Sequence, residues 1–284
     1  MTLKAIPVNF CPTGMVPTKA VTPHVPTEVH EIVEQVHEAW ELGITIAHLH
    51  ARLEDGTPDW RKDNYARILE GVRDHCPELI VCFSTSGRSV NVFEKRSAVI
   101  ELRPDMCSLT LGSLNFMNQA SVNEPGMIQA LAEKMIEYGV KPELECFDLG
   151  MINYGRYLMR KGLVLSPCYW NLIFGNIAGM QPTDAQIAAA LSALPQDGLH
   201  TVAFGGMGQH QDTAARAAVR RGLGVRIGIE DNIWMDHTRT QLATNMDLLR
   251  RVHDLMQEQG VGLMTSMQLG ELGFYHADHF ARVQ

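Results

Sequence analysis

The chain has 284 residues, 45% of them hydrophobic, and a formal net charge of −8. That supports one large core, and with no linker or low-complexity tract the whole of 1–284 reads as a single domain. The acidic excess is dispersed and no basic cluster exists, which argues against nucleic acid or an anionic membrane as partner. No apolar run has transmembrane length and the N-terminus lacks a signal-peptide pattern, so a cytoplasmic protein is expected. The six cysteines form no C-x-x-C pair and sit in apolar segments, where thiols behave as small buried hydrophobes.

In chain order, short apolar runs alternate with amphipathic segments. Residues 5–10 read as a strand, and 27–42 as a helix on which Val29, Ile32, Val33, Val36 and Trp40 recur with helical period. A strand at 44–51 follows, then a helix at 63–76, a strand at 79–84, a helix at 92–102 and a strand at 106–111. The pattern continues with a helix at 126–138, a strand at 143–147, a helix at 152–161 and a strand at 163–168. A helix at 184–194, a strand at 200–204, a helix at 213–221, a strand at 225–232 and a helix at 238–259 complete it. Eight strand-helix units over this length predict an α/β fold of the (β/α)8 TIM-barrel type.

The second strand carries the most informative residues. Side chains alternate along a strand, so His48 and His50 share a face and lie about 7 Å apart along it. They can converge on one cation. On the eighth strand Arg226, Gly228 and Glu230 alternate with Val225, Ile227 and Ile229, so Glu230 would complete a His2Glu zinc site with an open position. A barrel brings strands two and eight to one axial site, whereas an open sheet would separate them. Other polar residues also fall at predicted strand ends, among them Ser84, Ser108, Glu145 and Asn171. The turn containing Gly205, Gly206 and Gly208 could cradle a phosphate with its amides.

The motifs His48-Leu49-His50-Ala51-Arg52, Ser84-Thr85-Ser86-Gly87, the run from Lys141 to Asp148 and the run from Val225 to Asn232 resemble those of the zinc-dependent β-keto acid cleavage enzymes. The resemblance covers nearly the whole chain. It implies a (β/α)8 enzyme that converts a β-keto acid and acetyl-CoA into acetoacetate and a new acyl-CoA. It further implies Zn2+ on His48, His50 and Glu230, Asp231 as base, and Arg226 orienting that base. Ser84 and Ser108 correspond to hydrogen-bond donors toward substrate, Glu145 is a reserve base, and the glycine turn could hold part of CoA. A homotetramer is also implied. Family members acting on an amino-substituted keto acid carry an acidic residue where this chain has Val16. Met15 and Val16, with Tyr169 and Trp170 after the sixth strand, are therefore expected to line an apolar wall suited to a neutral alkyl tail, and Asn171 beside them is expected to bind substrate. The alternative is another metal-dependent barrel hydrolase or carbon-carbon lyase.

Overall fold

The computed structural model describes residues 4–282. Eight parallel strands close into a barrel: β1 (Val8–Phe10), β2 (Ile46–Leu49), β3 (Ile80–Phe83), β4 (Met106–Thr110), β5 (Lys141–Cys146), β6 (Tyr169–Phe174), β7 (Thr201–Gly206) and β8 (Gly224–Ile227). The α/β TIM-barrel expectation holds. Around the barrel run α1 (Val29–Leu42), α2 (Lys62–His75), a short α3 (Phe93–Arg96) continued by a 3-10 turn, α4 (Pro125–Tyr138), α5 (Leu149–Arg160), α6 (Asp184–Ala193), α7 (His210–Arg221) and α8 (Asn245–Glu258). No helix among the described residues is long and apolar enough to cross a membrane, and all six cysteines are buried and unpaired.

Inward positions climb each strand two residues at a time. At the floor Ile46, Ile80, Met106, Tyr169 and Ala203 pack with Leu269 and Phe274. The next rung is polar: Asn9, His48, Ser108, Glu143, Asn171 and Arg226 are all buried. Above it stand His50, Ser84, Thr110 and Glu145 at the mouth. The outward positions, such as Ala47, Leu49, Val81 and Leu144, pack in the main apolar core.

The eighth strand ends at Ile227 rather than 232 and the helix read at 92–102 is a short helix and a 3-10 turn, and two further boundaries differ more. The sixth strand occupies Tyr169–Phe174 rather than 163–168, because Pro167, which has no N–H to give a ladder, closes the loop ahead of it. The last helix begins only at Asn245, where Thr244 accepts from the Asp247 amide and the Asp247 carboxylate accepts from the Thr244 amide. Residues 238–244 instead form a loop, in which the Asp236 carboxylate accepts from the amides of Thr240 and Gln241.

Candidate active site

His48 and His50 reach the mouth as the alternation requires, and their Nε2 atoms lie 3.2 Å apart. Glu230 meets them from beyond β8, its Oε1 3.2 Å from His50 Nε2 and 3.8 Å from His48 Nε2. β8 ends at Ile227, and the next residue is Gly228, whose φ of +152° is poorly open to a side chain. A Cβ there would sit 2.0 Å from the Cys11 carbonyl oxygen. This turn lets consecutive residues serve one site, for Arg226 donates from Nη2 to Glu230 Oε1 at 2.7 Å and from Nε to Asp231 Oδ2 at 2.8 Å.

The donor set fits a divalent metal. Glu143 Oε2 lies 2.6 Å from His48 Nδ1, and a neutral His48 with its proton on that nitrogen would turn the Nε2 lone pair toward His50 and Glu230. Glu230 Oε2 is buried and makes no hydrogen bond. His48, Cys82 and Glu143 form another potential ligand cluster among the described residues, but burial pushes the Cys82 thiol up, so it stays protonated and donates to Glu143.

Glu143 itself was missed in the sequence. Its other oxygen, Oε1, accepts from Asn9 at 2.7 Å and from Asn171 at 2.8 Å. The available signal was its two-residue spacing from Glu145, which puts both on the inward face. Burial works against a Glu143 anion, but the adjacent His48 and Arg226 outweigh it and hold the carboxyl at about 2. Glu230 is likewise held well below its ordinary value, with His50 and Arg226 overcoming the cost of burial. Burial dominates at the other two carboxyls, reinforced by Glu230 at Asp231 and by Glu143 at Glu145, and pushes both up. Glu143 and Glu230 are thus held as anions, while Asp231 and Glu145 bind a proton more readily than ordinary carboxyls do.

The remaining candidates divide. Met15, Val16, Ser84, Glu145, Arg226 and Asp231 line one cavity together with His48, His50 and Glu230. Ser84 Oγ accepts from the Ser86 amide, and Thr110 donates to Glu145 at 2.7 Å. Ser108 does not line the cavity. It lies one rung too deep, where its Oγ accepts from the Thr85 amide, and Thr110 takes the mouth position above it.

Tyr169 and Trp170 do not form a pocket wall, because the chain is already in β6 there. Tyr169 packs on Phe274 at the floor, and Trp170 points outward onto Gly155 of α5, where an added Cβ would lie 2.7 Å from its ring. Asn171 is below the cavity, holding Glu143. Gly205, Gly206 and Gly208 are no phosphate cradle either. Gly205 and Gly206 belong to β7, and the amides of Met207 and Gly208 are spent on the carbonyls of Phe174 and Asp231. Their service to the site is spatial: a Cβ on Gly205 would press on the Arg226 stem at 3.1 Å.

A family model described as beta-keto acid cleavage enzyme matches residues 5–272. The 3-oxoadipate:acetyl-CoA acetyltransferase of Cupriavidus necator is 37% identical over 265 residues, covering 92% of each chain. The 3-keto-5-aminohexanoate cleavage enzyme of Acetoanaerobium sticklandii is 32% identical over 256 residues, covering 90% of this chain and 93% of its own. Among solved structures, the binary complex of ObcA with oxaloacetate superposes with a TM-score of 0.76 at 18% identity, over 91% of this chain and 69% of that one. That last likeness is one of fold.

Proposed function

The chain belongs to the β-keto acid cleavage enzyme family, and from that premise we propose that it is a zinc-dependent enzyme converting a β-keto acid and acetyl-CoA into acetoacetate and a new acyl-CoA. The observation that carries this reading is the meeting of His48, His50 and Glu230 with an Arg226-held Asp231 in one cavity. His48, His50 and Glu230 would hold the metal. Bound there, zinc supplies Lewis acidity toward the keto oxygen and carboxylate of the substrate.

Asp231 takes a proton from C2 of the keto acid onto a carboxylate oxygen, and its raised affinity for protons suits that task. Arg226 grips both Asp231 oxygens, at 2.8 Å and 3.3 Å, and so aims the base. The C2 carbanion then forms a bond to the acetyl carbon while the thiolate of CoA leaves. The thiolate returns to the original keto carbon, the C2–C3 bond breaks, and the proton held by Asp231 passes back to C2 of acetoacetate. Ser84, whose Oγ accepts from the Ser86 amide and keeps its own proton free, donates toward oxygens that gain charge. The reserve base is Glu145, steadied by Thr110. The buried unpaired thiols accord with a reducing cytoplasm, and a homotetramer is the assembly the family resemblance implies.

Incubation with acetyl-CoA labelled in the acetyl group and a panel of β-keto acids tests the reading by mass spectrometry. Label in acetoacetate and none in a newly formed acyl-CoA is the expected result. Label in the acyl-CoA, or free acetate and CoA alone, would overturn it.

A further inference from the structure

Arg88, on the loop between β3 and α3, takes no part in the chemistry above, yet it lines the same cavity as the metal triad and Asp231. Its guanidinium carbon lies 3.8 Å above the centre of the Phe116 ring. Phe116 in turn meets Phe147 edge-on at 5.8 Å, so an aromatic shelf fixes the height of the charge. The backbone is tied as well: the Arg88 amide donates to Ser86 Oγ, and its carbonyl accepts from Gln119 Nε2 at 3.3 Å. Buried Nε has no hydrogen-bond partner. Arg226 in the same cavity is engaged by both Glu230 and Asp231, whereas no carboxylate among the described residues forms an ion pair with Arg88. A half-buried guanidinium with an orphaned N–H carries a desolvation cost that an anion bound beside it would offset.

The same cavity is lined by the apolar side chains of Leu114, Phe116, Phe147, Ile173 and Met207. They account for the apolar middle of a substrate tail. They do not account for a cation at its end. Resting on the reaction proposed above, we infer that Arg88 receives a second carboxylate at the far end of the keto acid, so that the preferred substrate class is a dicarboxylic β-keto acid rather than one with a neutral alkyl tail. The absence of an acidic residue at Val16 still disfavours a cationic tail, and Arg88 adds direct repulsion against one.

The test compares 3-oxoadipate with 3-oxohexanoate, which has the same number of carbons and a methyl group in place of the distal carboxylate. The parent enzyme should favour the dicarboxylate in kcat/KM by about tenfold or more, the scale of a charge-assisted hydrogen bond. Arg88→Gln should lower kcat/KM for 3-oxoadipate by about 10- to 100-fold, while 3-oxohexanoate and the KM for acetyl-CoA change less than about twofold. Arg88→Lys should fall between. A parent preference for 3-oxohexanoate overturns the inference, as does an equal fall for both keto acids in Arg88→Gln, the mark of a structural role. A raised KM for acetyl-CoA with an unchanged ratio would instead assign Arg88 to a CoA phosphate. Calorimetric binding of both keto acids without acetyl-CoA separates the two levels of the account. Selective loss of 3-oxoadipate binding in Arg88→Gln supports the anion site even where no turnover occurs, and that absence of turnover would count against the reaction alone.

Discussion

The barrel has a buried ionic cluster at each end, and the two are built differently. At the floor, Asp105 Oδ1 accepts from the His276 amide at 3.1 Å and His279 Nδ1 at 2.6 Å, and Oδ2 from Arg73 at 2.5 Å and the Val81 amide at 2.9 Å. The outer nitrogens of His276 and His279 end on the carbonyls of Tyr138 and Pro77, so the C-terminal segment is clasped beneath the barrel. Each polar atom of Asp105 and each ring nitrogen of His279 in this clasp is partnered. At the mouth, Glu230 Oε2, Arg226 Nη1 and Arg88 Nε are buried and make no hydrogen bond, although Arg226 Nη1 stands 3.7 Å from Glu145 Oε1. Leaving such a group unmatched costs about 1–3 kcal/mol, so the clasp is saturated and stabilising while the mouth keeps hydrogen-bonding capacity open.

That contrast predicts different consequences for charge removal. The largest effect on rate belongs to Asp231→Asn, which should keep its metal and fold yet lower turnover about 10²- to 10⁴-fold. Enzyme-dependent exchange of the substrate C2 hydrogen with deuterium, followed by NMR without acetyl-CoA, should vanish with it. Surviving exchange would move the base to Glu145.

At the floor, Asp105→Ala should cost about 3–5 kcal/mol by leaving Arg73 buried without its partner, read by denaturant unfolding, with activity per folded molecule intact. Burial alone would raise the Asp105 carboxyl, but His279 and Arg73 hold it below its ordinary value of 3.8. A carboxyl depressed in the folded state stabilises above its unfolded pKa, and the contribution is lost as pH falls through the folded value. The parent should therefore weaken as the pH drops below about 4, and the acid limb should flatten in Asp105→Asn.

Glu143→Gln lies between the two regions. It removes the anion that orients His48 without removing a ligand, and metal affinity should fall about 10- to 100-fold in a competitive chelator titration. Unchanged affinity would mean that Glu143 serves only the packing of the polar rung. The smallest effect is expected from Val16→Glu. Val16 lines the cavity but is 56% exposed, so the added charge should improve kcat/KM for a cationic keto acid by only about two- to fivefold. No change at all would place the substrate tail away from this loop.

The two ends were unequally legible in the sequence. His48 and His50 were readable because strand alternation alone puts them on one face, and the eight-fold strand-helix rhythm brought Glu230, Arg226 and Asp231 to meet them. The same alternation, applied rung by rung, separates Glu143 from Glu145 and Ser108 from Thr110, but choosing the rung needs the registers between neighbouring strands. Tyr169 and Trp170 were misplaced because Leu163, Val164 and Leu165 imitate a strand a few residues too early. Arg88 escaped notice since a lone loop cation has no pattern. Its meaning comes from Phe116, Phe147 and the metal triad, which only the folded chain assembles. The floor clasp was equally silent, joining Asp105 to histidines more than 170 positions away.

Elemental analysis of the purified protein beside His48→Ala and Glu230→Gln decides whether the mouth is a metal centre. The parent should carry about one zinc per chain, and each variant should lose most of it while unfolding with near-parent stability, because a catalytic zinc site left with two protein ligands lacks its required geometry. Equal metal content in all three proteins, or a metal-free parent that is fully active in the presence of chelator, would contradict the account.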